Sequence, residues 1–282
     1  MGETRNVYTR SVDGDLAFFN ERVAKTVDGL HRSGQAFGVV GVGLVHRARQ
    51  PRARRERRRA IRLRHRDREA LCGAAAAAVA LGGAAASAQT TATFAPSRDA
   101  TIYETFDIFE RANGSGMHFF AGRTNQDMGS RRRGVLKFDL SSIPPGATVT
   151  SVTLRLHMSR TTGGPQTLSL RKMLADWGEG ASDAESNEGA GVDPEPGDTT
   201  WLYRFFPGTL WATPGGQYSA TQSASRSVAG INNYTWGSTA GMIADVQGWI
   251  NTPADNFGWA VVNNNEGVGH TAKRFDSREN DT

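Results

Sequence analysis

The feature that most constrains this fold is a period-two alternation of apolar and polar residues. In residues 149–158, four apolar side chains alternate with three polar ones: Val152, Leu154, Leu156 and Met158 against Thr153, Arg155 and His157. Successive side chains of a β-strand point to opposite faces, so this pattern predicts a strand with one buried face. Residues 135–140 and 168–171 repeat the alternation. Three such segments separated by turn residues favour a β-sandwich.

The rest of the chain downstream of residue 88 fits the same class. Two prolines and a glycine in residues 141–147 predict a loop between two strands. Further strands are expected at residues 91–95, 100–104, 118–122, 257–264 and 271–276. Residues 240–250 fit a helix or a strand, and their spacing and their Ala, Met and Gln content favour the helix. The acidic, Gly- and Pro-rich residues 178–200 are predicted to leave the sandwich at its rim.

The amino-terminal part has the layout of a leader. An Arg-dense run is followed by the apolar run LCGAAAAAVALGGAAA and by Ala86, Ser87 and Ala88. This order is typical of a secretory signal peptide, and the apolar run is short for a membrane span. The sequence therefore predicts a disordered or mis-assigned leader at 1–66, a signal peptide at 67–88 and one β-sandwich domain at 89–282. An Ala-rich linker is the alternative for the apolar run, and a nucleic-acid-binding arm is the alternative for the Arg run.

Charge and cysteine usage change once the chain is divided there. Residues 1–88 carry 17 of the 33 basic and 8 of the 28 acidic side chains, so the remainder has 16 basic and 20 acidic. The basic character belongs to the leader, which argues against nucleic acid as the partner of the folded domain. The single cysteine, Cys72, also lies in the leader, so the domain is predicted to have neither disulfides nor a cysteine-ligated metal. Its expected location is secreted or on the cell surface.

An ordered series of motifs carries a family resemblance. The motifs are RDATIYE, RGVLKFDLSSIPPGATVTSVTLRLHM, DWGEG, TTWLYR, GTLWATPGG, VQGWI, NFGWAVV and RFDSREN, running from Arg98 to Asn280. Together they resemble the DNRLRE domain family, which is also classed among carbohydrate-binding modules. The resemblance implies a jelly-roll β-sandwich on secreted or surface proteins, with binding of acidic polysaccharide such as alginate in some members. The hexapeptide that names the family is replaced by residues 99–104, and the last strand of the jelly roll is expected to be missing.

Candidate ligand-binding residues follow from the chemistry of acidic sugars, which combines ring stacking with guanidinium or ammonium contacts to carboxylates. Lys137, Arg155 and Arg171 share the polar phase of their strands and would form a basic stripe if those strands were neighbours. Arg123 lies beside the first strands. Of the six tryptophans, Trp249 and Trp259 are expected in the core, whereas Trp201 and Trp211 flank turns and are candidates for an exposed rim. The alternative for the cations is a solvated sheet face of mixed charge.

Signals for a metal or for catalysis are weaker. Asp183, Glu185 and Asp193 offer the oxygen ligands that calcium prefers, and a solvated acidic loop is the alternative. No cofactor other than this structural calcium is expected. The motifs of zinc hydrolases and serine hydrolases are absent from the sequence. The prediction is a non-catalytic module that binds an acidic polysaccharide. A structural cell-surface domain and a polysaccharide-degrading enzyme are the alternatives, and the oligomeric state is left open.

Overall fold

The computed structural model describes residues 39–45, 89–106, 109–126 and 129–281, with the side chains of residues 41–43 alone in the first of these segments. The described residues form thirteen strands and one α-helix, α1 (Ala240–Asn251). The strands are β1 (Val39–Val45), β2 (Gln89–Phe94), β3 (Pro96–Tyr103), β4 (His118–Arg123), β5 (Arg131–Phe138), β6 (Thr148–Thr161), β7 (Gln166–Lys172), β8 (Tyr203–Phe205), β9 (Thr209–Leu210), β10 (Ala224–Val228), β11 (Asn232–Trp236), β12 (Trp259–Asn263) and β13 (Lys273–Asp276).

Eleven of these strands form one curled antiparallel sheet with two facing layers. In the β5 layer the order is β10, β7, β12 and β5, with β3 also paired to β5. In the β6 layer, β6 pairs with β13, β11 and β1, while β4 flanks β13 and β2 flanks β1. A short pairing of β4 with β5 joins the layers. The all-β sandwich expected from the alternation is confirmed.

The main core lies between the two layers. Leu154, Leu156 and Met158 of β6 are fully buried there and belong to one cluster with Leu170 and Trp259 of the β5 layer. Full burial of each such side chain contributes about 1.5 to 3 kcal/mol relative to exposure, so this interface dominates the stability of the domain. The apolar residues of the alternation in β6 are therefore the ones that pack on the β5 layer, and the polar residues between them lie on the opposite face.

Helix α1 occupies the place that the sequence favours for a helix. The Thr239 side chain caps it by accepting a hydrogen bond from the Met242 N–H. Its buried face, formed by Met242, Val246 and Trp249, joins the main core, where the Trp249 ring meets the Trp259 ring edge to face at 4.7 Å between centroids. Both tryptophans expected in the core are buried.

A second core covers the outer face of the β5 layer. Residues 173–223 leave the sheet after β7, cross this face and return as β10; they include the excursion predicted at 178–200. Their side chains Met173, Trp177 and Trp211 pack on sheet residues that include Val135 and Ala260. Strand β5 is consequently buried on both faces, whereas the outer face of β6 stays polar and partly exposed.

Strand β1 lies within the region where the sequence predicts a leader. It pairs antiparallel with β2 on one side and with β6 on the other, and Val42 is fully buried in the main core. The predicted signal peptide at 67–88 lies outside the described residues. In the full chain, β1 therefore fills the space between β2 and the first half of β6.

Val42 provides a test of this pairing. We expect Val42→Asp in the full-length chain to lower the free energy of unfolding by about 2 kcal/mol or more, because it buries a carboxylate without a partner. Urea denaturation measures the change, with Thr235→Asp on the exposed face of β11 as the matched control. An unchanged urea midpoint for Val42→Asp would show that β1 is not part of the folded domain.

Candidate functional site

Arg133 of β5 is the centre of a buried polar network on the β5 layer. Its Nε and Nη2 atoms donate to the two carboxylate oxygens of Glu266 at 2.8 and 2.7 Å, and Nη1 donates to the Gly215 carbonyl at 2.6 Å. The side chain is 8% exposed. A buried guanidinium is tolerated when a carboxylate neutralises it and its N–H groups have acceptors, and both conditions hold here.

Two aromatic rings complete the environment of Arg133. The guanidinium carbon lies 4.8 Å from the centroid of Trp201 and 5.3 Å from that of Tyr218. Arg131, two residues earlier on the same face of β5, lies 5.0 Å from the Trp201 centroid and pairs with Glu104. Planar guanidinium groups stack on aromatic faces while their edges bind carboxylates, which is the arrangement found here. These contacts fix the positions of the Trp201 and Tyr218 rings.

Beside this arrangement is a surface depression of about 450 Å³, the β7–β12 cleft. Its lining consists of Arg171, Tyr218, Gln222, Val262, Asn263, Asn264 and Glu266. Strand pairing places these groups together, because Arg171 of β7 is directly opposite Ala260 of β12 and Ser169 is opposite Val262. The loop after β12 then supplies Asn264 and Glu266.

Arg171 differs in its partners from the other arginines of this face. Its Nη1 atom donates to the backbone carbonyls of Ser219 and Ala220, at 3.3 and 2.5 Å. Within the described part of the chain it forms no ion pair with a carboxylate, whereas Arg131 and Arg133 each form one. Arg171 is therefore the cation of the cleft whose charge is available to a ligand.

Neutral polar groups surround Arg171. The amide oxygen of Asn264 accepts hydrogen bonds from Ser169 Oγ at 2.8 Å and from Gln222 Nε2 at 3.4 Å, which orients both amides along the cleft. Burial raises the pKa of the Tyr218 hydroxyl, an effect that Arg133 partly offsets and Glu266 reinforces. Tyr218 stays protonated at neutral pH, so its hydroxyl can donate a hydrogen bond. Amides, a phenol and a guanidinium match the hydroxyl and carboxylate groups of a sugar.

Comparison with known families gives an independent finding. Residues 90–182 match the model of carbohydrate-binding module family 96. The matched segment covers about a third of the chain and contains β3 through β7 and all but the first residue of β2, with Arg133 and Arg171. The match supports a carbohydrate-binding module, while the narrower resemblance to DNRLRE domains stays a prediction. Comparison with curated proteins gave no match.

Three of the sequence-predicted site residues converge at this end of the module. Arg171 lines the cleft and Trp201 stacks on Arg133. Arg123 of β4 reaches the backbone carbonyls of Glu266 and Gly267 through Nη1, at 3.4 and 3.3 Å. The loop carrying Glu266 is thus held by arginines from two strands.

The other three predicted residues lie elsewhere. Lys137 is on the same strand as Arg133 and pairs with Asp176 at 3.2 Å. Arg155 is on β6, in the opposite layer, so the expected stripe of Lys137, Arg155 and Arg171 does not form. Trp211 is buried in the second core and donates from Nε1 to the Thr200 carbonyl at 3.1 Å, which corrects its expected position at an exposed rim.

Several residues that line the cleft or lie beside it are not among the site residues predicted from the sequence. Tyr218, Gln222 and Glu266 lie in irregular segments without periodicity, so no pattern marks them. Arg133 shares its face of β5 with Val135 and Lys137, and that alternation was a usable signal for its direction. Its burial depends on the excursion that covers it, which the alternation does not encode.

Two of the three carboxylates predicted to bind calcium have other partners. Asp183 accepts a hydrogen bond from the Glu185 N–H at 2.8 Å, and Asp193 pairs with Arg111 at 2.6 Å. Among the described residues, carboxylate oxygens of a different trio, Asp99, Glu179 and Glu279, lie within 4.8 Å of one another. Arg278 forms ion pairs with the last two. Calcium binding at Asp183, Glu185 and Asp193 stays a prediction.

The acidic trio predicts a pH dependence of stability. Burial raises the pKa of Glu279 from 4.5 to about 7; Arg278 opposes this shift and Glu179 adds to it. A carboxyl whose pKa is raised by folding stabilises the fold when protonated, and this contribution is lost as the pH rises from about 4.5 through 7. We expect Glu279→Gln to raise the unfolding temperature at pH 8 and to change it little at pH 4.

Thermal unfolding followed by circular dichroism at both pH values measures this difference. For a domain of this size, each kcal/mol corresponds to about 2 to 4 °C. Glu195→Gln, at an exposed position, is the control. Equal effects of Glu279→Gln at pH 4 and pH 8 would contradict the raised pKa.

Proposed function

We propose that this chain is a secreted, non-catalytic module that binds an acidic polysaccharide in the β7–β12 cleft. The observation that carries the proposal is Arg171, a cation without a carboxylate partner in the described structure, set among amides and a tyrosine in a family-96-like segment. The family match supports the carbohydrate class of the ligand. The Arg171 guanidinium supports the proposal that this carbohydrate is acidic.

The cleft offers each part of a uronic acid residue a partner. The Arg171 guanidinium suits the carboxylate, since a charge-assisted hydrogen bond contributes about 1.5 to 3 kcal/mol. The amides of Gln222 and Asn264 suit the ring hydroxyls, and the Tyr218 ring supplies an apolar surface for the C–H groups of a pyranose. Because Arg133, which is bonded to Glu266, stacks on the Tyr218 ring, little ordering is required on binding.

The Arg171 guanidinium should also allow the cleft to discriminate between acidic and neutral glycans. A neutral sugar places a hydroxyl where a uronic acid places its carboxylate, so it forms a weaker hydrogen bond with Arg171. We therefore infer a preference for polyuronates over neutral chains. Increasing salt is expected to reduce this preference, because the cleft is open to solvent and the interaction is screened.

The number of carboxylates in the cleft supports binding without catalysis. Glycoside hydrolysis commonly needs a pair of carboxyl groups that flank the scissile bond. Among the residues that line the described cleft, Glu266 is the only carboxylate, and both of its oxygens are bonded to Arg133.

Export is inferred from the leader. The Arg-dense run, the apolar run and the Ala-Ser-Ala ending support a signal peptide that delivers the module to extracellular polysaccharide. No helix in the described segments has the length and apolarity needed to cross a membrane. Amino-terminal sequencing of the exported protein tests this inference. A mature terminus near residue 89 is expected, so the exported module would lack β1 and would fold without it. A mature terminus upstream of residue 67 would contradict the inference.

Replacement of Arg171 tests the ligand proposal. We expect Arg171→Ala to weaken binding of an oligouronate by about tenfold or more, which corresponds to about 1.4 kcal/mol. Isothermal titration calorimetry against oligogalacturonate and oligoalginate measures the change, with a neutral cello-oligosaccharide for comparison. Arg226→Ala on β10 is the matched control because Arg226 is exposed and lies outside the cleft lining.

Three outcomes would overturn the proposal. Equal affinities of the Arg171→Ala variant and the unaltered chain would remove the cleft as the binding site. Absence of affinity for every polysaccharide, together with self-association, would favour a structural surface domain. Release of reducing ends or of unsaturated uronates by the purified chain would identify an enzyme.

A further inference from the structure

The β6 layer carries two arginines in an electrostatically unfavourable arrangement. Arg160 of β6 and Arg274 of β13 are directly opposite each other in the antiparallel pairing of their strands. Directly opposite residues share a face of the sheet, and like charges in that relation destabilise it. A third, negatively charged group between them would remove this repulsion.

Neither arginine has such a group in the described structure. Arg274 donates from Nε to Ser159 Oγ at 3.1 Å, and no carboxylate pairs with Arg160 or Arg274 among the described residues. Two acids of this region, Glu188 from the lining of an adjacent cavity and Asp276 of β13, bind histidines. Glu188 accepts from the His118 N–H at 3.1 Å and binds the His118 ring, while Asp276 binds His157 Nδ1 at 2.5 Å.

A cavity of about 200 Å³ lies beside this pair of arginines. Phe120 and Ala272 supply apolar surface, and Thr124 and Ser186 are hydroxyl-bearing residues of its lining. Glu188 also lines the cavity, and its carboxylate binds the His118 ring. Arg160 is exposed and Arg274 is partly buried, and both line the cavity. Two guanidinium groups beside a small apolar surface suit a compact oxyanion attached to a carbon skeleton.

We propose that this cavity is a second binding site, for an oxyanion substituent of an acidic glycan, either a sulfate ester or a carboxylate. The oxyanion pairs with Arg160 and Arg274 together, and the adjoining carbon skeleton contacts Phe120. The site lies on the opposite layer from the β7–β12 cleft and stands on its own geometry. The assignment of the oxyanion to a glycan rests on the proposed function.

Specific stabilisation by a small anion tests the oxyanion site directly. Thermal unfolding of the full chain is measured in sodium sulfate, sodium acetate and sodium chloride at matched ionic strength. A ligand that binds the folded state raises the unfolding temperature, so sulfate or acetate should raise it above the chloride value. Sulfate also stabilises folded proteins without a binding site, so Arg160→Ala should reduce this difference rather than remove it, whereas Arg226→Ala and Arg171→Ala should retain it in full. Arg160 is exposed, so its replacement leaves the core intact.

Calorimetry with sulfated and uronic oligosaccharides then distinguishes the two glycan sources. If sulfate protects the unaltered chain, Arg160→Ala should reduce the affinity for sulfated oligosaccharides about tenfold; if acetate protects it, the affinity for uronic oligosaccharides should fall by about the same factor. Arg274→Ala should have the same effect. Equal protection by sulfate, acetate and chloride would overturn the oxyanion site. Protection of Arg160→Ala by sulfate or acetate that equals the protection of the unaltered chain would also overturn it. Reduced protection in Arg160→Ala with unchanged binding in Arg171→Ala would uphold this site while removing the cleft.

Discussion

The buried ion pair between Arg133 and Glu266 determines the shape of the candidate binding surface. It joins strand β5 to the loop after β12, and the same guanidinium binds the Gly215 carbonyl of the excursion. An uncompensated buried charge destabilises a fold by several kcal/mol, so these three segments must come together for the domain to fold. Trp201 and Tyr218 are positioned by the same requirement. The cleft lies beside these rings because Glu266, which neutralises Arg133, and Tyr218 both line it.

The two layers of the sandwich present different surfaces because one is covered and the other is open. Residues 173–223 bury the outer face of the β5 layer, so binding groups there are confined to the margin where Arg171 and Asn264 remain accessible. The β6 layer keeps an exposed polar face, where Arg160 and Arg274 are directly opposite each other and form no ion pair with a carboxylate of the described residues. A chain that carries more acidic than basic side chains downstream of residue 88 thus has local cationic positions on both layers.

Sequence periodicity predicts which face a side chain occupies, and it predicts little about which strands are neighbours. The alternation in β6 correctly places Leu154 and Met158 in the core, and helical spacing correctly indicates α1. The stripe of Lys137, Arg155 and Arg171 required β5, β6 and β7 to adjoin, but long-range pairing inserts β12 between β5 and β7 and places β6 in the other layer. Trp211 shows the same limit, since its burial depends on how an irregular segment folds over Val135 and Ala260.

The most direct test of the account is a crystal structure of the chain with a bound oligouronate. We predict a sugar carboxylate within hydrogen-bonding distance of the Arg171 guanidinium, with the pyranose ring beside Tyr218 and ring hydroxyls at Gln222 and Asn264. An oligosaccharide bound away from both this cleft and the Arg160 cavity, with Arg171 contacting backbone carbonyls alone, would contradict it.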